Sequence, residues 1–270
     1  MATAWGQQVV DLRNQVRANV PLIHHITNVV VTNFVANGTL AIGASPVMAY
    51  AKEEVAEMAG HAQALVLNIG TLSAEEVESM VVAGQAANRR GIPVLLDPVG
   101  AGAPRLRLEA ARRILQEVKV TIIRGNASEV AALSGLDWQS RGVDSVGEHG
   151  DRVQLAKTAA DQWGLTVAVT GPVDVVAGPE GVWTVENGHP MLGLVTGAGC
   201  LATGVVAAFS AVESNSALAG AAALGFYGVA AERAMERAQG PGSFQVAFLD
   251  ELYRLPDAEL AERVRLTRVE

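Results

Sequence analysis

The sequence predicts an α/β fold with a mainly parallel sheet covered by helices on both faces. Three observations carry this. Short apolar runs, such as Ala64-Leu65-Val66-Leu67 and Val167-Ala168-Val169, alternate with longer stretches of helical pattern. Those runs are continuously apolar, as strands buried on both faces are. Half of the 270 residues are hydrophobic but only 4% are aromatic, so Ala, Val, Leu and Ile must build the core. Such small side chains suit helices lying close on a sheet.

Taken in order, residues 4–18 read as a helix with a polar face, and 21–26 as a short buried strand. Thr27-Asn28 breaks that strand and opens an apolar helix ending near Gly43. Ser45-Pro46-Val47-Met48 is extended, because a residue before proline is pushed out of the α region. A short helix over 52–60 leads to the strand 64–68. Ser73 with Glu76 forms a capping box, and Gly91 ends the helix it starts. Strand 93–96 delivers Asp97; a helix over 106–118 leads to strand 120–123, which delivers Arg124. Asn126 caps a helix over 127–133, with Gly135 beyond its end. Residues 137–150 read as a surface loop, 151–163 as a helix and 166–170 as a strand. A hairpin over 174–186 turns at Gly178-Pro179-Glu180-Gly181. Ala-rich helices over 201–212 and 218–238 follow, and Gly240-Pro241-Gly242 breaks the chain before a helical tail. No repeat or linker interrupts the pattern, so residues 1–270 read as one domain.

Composition narrows the function. The net charge is −8 and the acids are scattered, which argues against a nucleic-acid or anionic-membrane surface. A single cysteine excludes an internal disulfide framework and any cysteine-based zinc cluster. No uninterrupted apolar run reaches the roughly 18 residues of a membrane span, and MATAWGQQVV lacks a signal pattern. A soluble cytoplasmic protein is expected.

The chemistry centres on Thr196-Gly197-Ala198-Gly199-Cys200, which runs straight into an apolar helix. Alternate glycines bring bare N–H groups close to a ligand, and the helix adds its unpaired first-turn donors and positive dipole end. In parallel α/β sheets ligands sit beyond the carboxyl ends of the strands. Those ends deliver His24, His25, Thr27, Asn28, Asn68, Asp97, Arg124, Asn126, Glu129 and Thr170. Acids beside a phosphate site imply magnesium, for which Asp97 and Glu129 are candidates, while Arg124 forks onto phosphate. Each residue also has a plain structural reading: a tight turn opening a buried helix, a loop acid, a surface ion pair. The set together favours a site.

Other motifs compete. Gly197-Ala198-Gly199-Cys200-Leu201-Ala202 fits the dinucleotide fingerprint formally, but no clear strand precedes it and no ribose-binding acid follows. The chain has no P-loop motif. Cys200 at a helix mouth could be an activated nucleophile, but its base would have to come from far away. His24 and His25 point to opposite faces of a strand and cannot share one metal.

The run Pro21-Leu22-Ile23-His24-His25-Ile26-Thr27-Asn28, with Gly43-Ala44-Ser45-Pro46-Val47-Met48, resembles the N-terminal signature of the hydroxyethylthiazole kinase family. Asp97-Pro98-Val99-Gly100-Ala101, Arg124-Gly125-Asn126 with Glu129, and Thr170-Gly171 with Asp174 extend the resemblance. The central glycine turn and Gly240-Pro241-Gly242-Ser243-Phe244 carry it across nearly the whole chain. It implies a ribokinase-like three-layer α/β/α kinase, typically a homotrimer. Such an enzyme phosphorylates 4-methyl-5-(2-hydroxyethyl)thiazole with ATP and Mg²⁺ in thiamine salvage. On that resemblance Met48, Gly197, His25 and Asn28 would meet the thiazole, and Arg124, Thr170 and Asn126 the ATP. Asp97 and Glu129 would lie on the magnesium side, and Gly197, Ala198, Gly199 and Cys200 would form the catalytic turn. His25 departs from the residue usual there. Related sugar kinases carry an aspartate base where this chain has Cys200. A thiol is a poor base toward an alcohol, so Cys200 is read as a positioning or weak-base residue. A kinase for the pyrimidine half of thiamine, or a non-catalytic sensor of the same fold, are the alternatives; the run through Met48 and the intact acids argue against them.

Overall fold

A computed structural model describes residues 4–136 and 148–269. Its centre is a nine-stranded sheet in the order β2-β1-β3-β4-β5-β6-β7-β8-β9. The strands are β1 (Leu22–Ile26), β2 (Ser45–Val47), β3 (Ala64–Asn68), β4 (Val94–Asp97), β5 (Ile122–Asn126), β6 (Thr166–Thr170), β7 (Asp174–Gly178), β8 (Gly181–Val185) and β9 (Leu266–Arg268). The first six are parallel, and β7, β8 and β9 join antiparallel. The result is a three-layer α/β/α architecture with a mostly parallel sheet.

One helical layer holds α1 (Ala4–Asn19), α2 (Thr32–Ala41), α8 (Ala198–Ser210), α9 (Ser216–Met235), α10 (Pro241–Arg254) and α11 (Asp257–Arg263). The other holds α3 (Val55–His61), α4 (Ala74–Arg90), α5 (Arg105–Glu117), α6 (Ala127–Ser134) and α7 (Glu148–Trp163). Alternation along the strands divides the core between them: Val66 and Leu95 pack under the first layer, Leu65, Leu67, Val94 and Leu96 under the second. Each strand therefore needs apolar residues at successive positions. Helices α8 and α9 are buried nearly all round, and their Ala and Gly content lets them lie close on the sheet and on each other.

The predicted caps form. Glu76 N donates to Ser73 Oγ at 3.1 Å while Ser73 N donates to Glu76 Oε2 at 2.8 Å, and Gly91 closes α4 at φ 70°. Asn126 and Glu129 make the same reciprocal pair at the start of α6, and Gly135 closes it at φ 68°. Other boundaries differ. Helix α2 starts at Thr32, because residues 29–31 form a turn after Asn28. Strand β5 runs through Arg124 to Asn126, so Arg124 lies within the strand. Helix α8 begins at Ala198, which places Cys200 inside its first turn. The C-terminal tail is two helices and an edge strand, β9, whose three residues are too few for a periodic signal. The loop read over 137–150 lies outside the described residues except for 148–150, which open α7. Among the described residues no helix is long and apolar enough to cross a membrane.

Candidate active site

Strand periodicity assembles the site. Ile23, Val66, Leu95, Ile122 and Ala168 pack beneath the α8 layer. Two residues further along the same strands stand His25, Asn68, Asp97, Arg124 and Thr170, turned to the same face. The first turn of α8 lies over them.

Gly197 is the N-cap of α8 at φ +90°, where a side chain is strained, and a Cβ there would meet Val31 Cγ1 at 2.8 Å. Ala198 N donates to the Val195 carbonyl at 3.2 Å, and Leu201 N to that of Gly197 at 2.8 Å. Helix geometry leaves the N–H groups of Gly199 and Cys200 without intrahelical acceptors. The Tyr227 hydroxyl donates to the Ala198 carbonyl at 2.6 Å and pins this turn. Gly199 is small for a second reason: a Cβ there would lie 2.9 Å from Arg124 Nη1. The guanidinium thus lies against the helix mouth, held by a 2.7 Å bond from Nη2 to Thr170 Oγ1. Free N–H groups, a helix N-terminus and an arginine converge there, which is the chemistry of an anion site.

A cleft of about 520 Å³ opens beside this mouth. Arg124, Thr170, Ala198 and Gly199 line it, together with Gly171, Pro172, Asp174 and residues 187–190, 192 and 193. A second hollow, of about 570 Å³, is lined by Gln63, Asn88, Ser216 and neighbours and contains none of the predicted site residues.

Beneath the mouth runs a chain of buried polar groups. Asn68 Nδ2 donates to Asp97 Oδ2 at 2.8 Å, and Thr203 Oγ1, from the next turn of α8, donates to the same oxygen at 2.9 Å. Asn28 Nδ2 donates to Asn68 Oδ1 at 2.9 Å and reaches Cys200 Sγ at 3.5 Å. Burial pushes the Asp97 carboxyl up to about 6, against the pull of Arg124; Glu129 adds to the rise. Burial, and then the charge of Asp97, raise the Cys200 thiol to about 11. The thiol is therefore neutral at pH 7. Asp174, on the cleft wall, is raised by burial to about 7, although Gly171 N donates to its Oδ1 at 2.9 Å.

The comparisons with known proteins fit this geometry. A profile of the hydroxyethylthiazole kinase family matches residues 13–258. The hydroxyethylthiazole kinase of Moorella thermoacetica is 53% identical over 262 residues, which cover 97% of this chain and 98% of that protein. The chain belongs to the hydroxyethylthiazole kinase family. The solved structure of the hydroxyethylthiazole kinase from Pyrococcus horikoshii OT3 superposes with a TM-score of 0.90 at 42% identity, covering 97% of this chain and 99% of that one. A ribokinase-like superfamily protein from Enterococcus faecalis V583, at 13% identity, has a TM-score of 0.63 over 92% of this chain and 95% of that one, and shows the shared fold.

Within this hydroxyethylthiazole kinase family member, the predicted residues fall into distinct places. Arg124, Thr170 and Gly199 meet at the cleft, and Asn28, Asp97 and Cys200 join in the polar chain. Gly197 shapes the turn, while the Ala198 N–H is already engaged by Val195. Met48 follows edge strand β2, half-buried against the α8-side core. Asn126 and Glu129 cap α6; both Glu129 oxygens accept backbone N–H bonds at 2.9 Å, from Gly100 and Asn126. His25 packs apart from the cleft. It is 0% exposed, with Nε2 3.4 Å from Thr39 Oγ1 and Cε1 under Gly204, so its ring seats α8 and does not line an opening. The α8-facing side of β1 is the core side, and alternation sends the position-25 side chain into it. Thr203 and Tyr227 were not foreseen. Thr203 lies four residues after Gly199 on the same helix face, a spacing that could have marked it. Tyr227 carried no local signal.

Proposed function

We propose that this family member transfers the γ-phosphoryl group of ATP to the hydroxyl of 4-methyl-5-(2-hydroxyethyl)thiazole, supplying the phosphorylated thiazole for thiamine. The observation that carries the reading is the meeting of Arg124 and Thr170 with the open first turn of α8 in one cleft. Phosphoryl transfer is mostly positioning and charge stabilisation around a loose transition state. The Gly199 and Cys200 N–H groups and Arg124 supply fixed positive potential where charge gathers on the transferred group. Tyr227 and Gly197 hold that turn in shape. The neutral Cys200 thiol positions the acceptor hydroxyl in company with Asn28, since a loose transition state needs little early deprotonation.

Magnesium fits the donor set as an ion held largely by phosphate and water. Among the described residues no group of three or more His, Cys, Asp or Glu could form a protein cage. The buried Asp97 Oδ1 has no hydrogen-bond partner, and Arg124 Nη1 is 4.0 Å from it. Each Glu129 oxygen keeps a second lone pair for a metal-bound water. Asp97 and Glu129 would hold the ion's side of the site, where it screens the phosphates. Met48 would contact the thiazole. A cytoplasmic homotrimer of single-domain subunits accords with an ATP-consuming member of this family; Val29 and Val30, beside Asn28, are 69% and 66% exposed and offer apolar surface for assembly.

The test is ADP release from ATP and Mg²⁺ with and without the thiazole alcohol, beside a pyrimidine alcohol. Thiazole-dependent ADP that vanishes with EDTA is the expected result. Thiazole binding without turnover would overturn the reading in favour of a sensor.

A further inference from the structure

We infer that His189 is a specificity-determining residue of the nucleotide cleft, donating Nε2–H to an acceptor on the nucleoside part of ATP. The inference rests on the ATP reading of the cleft given above. His189 lines that cleft, as do Gly171 and Asp174. Met191 N donates to His189 Nδ1 at 3.1 Å, so Nδ1 is an acceptor and the ring proton of the neutral imidazole sits on Nε2. No group among the described residues engages that nitrogen.

The ring is also held in place. Gly188 precedes it at φ +142° and Pro190 follows at the start of a 3₁₀ turn, Pro190–Leu194. Its face packs against Phe244, with centroids 6.4 Å apart at 35°. Such a ring is preorganised, so a bond from Nε2 costs little ordering.

The other side-chain N–H and O–H donors of the cleft are committed, and the Asp174 carboxyl accepts from Gly171 N at 2.9 Å. Asn187 Nδ2 donates to Glu232 Oε1 at 3.1 Å and to the Arg263 carbonyl at 2.9 Å, and its Oδ1 accepts from Arg265 N at 2.7 Å. Tyr227 is spent on Ala198, and Thr170 on Arg124 and the Gly125 carbonyl. Arg124 and the α8 mouth take the phosphates. That leaves His189 as the donor for the rest of the nucleotide, whose base and ribose present acceptors.

The experiment is calorimetry of Mg²⁺ with ADP and, separately, with tripolyphosphate, on wild type, His189→Asn and His189→Gln. Asn keeps an acceptor for Met191 N but lacks the outer donor; Gln restores a donor further out. We expect His189→Asn to weaken ADP about tenfold, the worth of one hydrogen bond, with tripolyphosphate binding and Tm unchanged and His189→Gln recovering part of the loss. ADP binding by His189→Asn equal to wild type would overturn the inference. So would an equal loss for tripolyphosphate, which would make the residue a phosphate or purely structural group. Wild type that binds tripolyphosphate but not ADP would overturn the ATP reading itself, and this inference with it.

Discussion

Asn68 and Asp97 are register partners across β3 and β4, and the 2.8 Å bond from Asn68 Nδ2 to Asp97 Oδ2 ties the two strand ends together beneath the mouth of α8. Asn68 passes the connection on through Oδ1 to Asn28, which touches Cys200. One amide thus orients both the buried acid and the group that reaches the thiol.

Replacing Asn68 with Leu keeps its branched shape but strips hydrogen bonds from Asp97, Asn28 and the Gly70 N–H. Asp97 would keep only Thr203, and Asn28 Nδ2 would be left with Cys200 Sγ as its acceptor. Leaving buried polar groups unmatched costs about 2–3 kcal/mol. The variant should show that loss in urea unfolding, and kcat at least about tenfold lower by the same loss of orientation. Wild-type stability and turnover would mean that the chain of bonds is incidental.

Cys200 is expected to behave as a neutral positioning group. With its thiol raised to about 11, alkylation by iodoacetamide should be slow at pH 7 and rise about tenfold per pH unit toward that value. Cys200→Ala should lower kcat only modestly, by about tenfold or less, and Cys200→Asp should retain activity because a carboxylate there can act as base. Two dead variants would point to a nucleophile and sink the positioning assignment.

The fold was legible because parallel strands buried on both faces leave unbroken apolar runs, and because Ser73, Asn126, Gly91 and Gly135 mark helix ends by local chemistry. Asp97, Arg124 and Thr170 were legible as the polar residues that end such runs. What escaped depends on contacts between distant segments. His25 was placed at the thiazole by its strand end and by the resemblance, yet β1 is covered by α8, and only the packing of Gly204 over the ring reveals that. Tyr227 acts through a single bond to Ala198, 29 residues away in sequence, which no periodicity announces.

The two glycines of the turn should fail differently when changed to Ala. At Gly199 the new Cβ meets the guanidinium end of the long Arg124 side chain, at 2.9 Å, and the position is helical, so stability should change by less than about 1 kcal/mol. The displaced guanidinium should raise KM for ATP roughly tenfold. At Gly197 the backbone is at φ +90° and the Cβ would press on Val31 at 2.8 Å, so the fold itself should lose about 2 kcal/mol or more. Paired thermal melts and nucleotide titrations read the contrast. Equal Tm losses in both variants would contradict it.

His25 should make the protein sensitive to acid. Burial, and after it the adjacent His24, hold its imidazole neutral, lowering it to about 3. Because the unfolded chain binds a proton near 6.5 and the folded chain does not, this residue's contribution is complete above 6.5 and is lost progressively as pH falls toward 3. Over that whole window the loss approaches roughly 5 kcal/mol, at about 1.4 kcal/mol per pH unit. Asp97 and Asp174 titrate with the opposite sign, being raised by burial to about 6 and about 7, so they gain protons in the folded state first and mask part of the effect. The comparison that isolates His25 is wild type against His25→Gln, in which the carboxylate contributions cancel. Urea unfolding at steps from pH 7 to 4 should show wild type losing stability relative to His25→Gln as the pH drops, whatever constant offset the substitution introduces. A difference that stays flat with pH would mean that the buried ring takes up its proton without opening the fold.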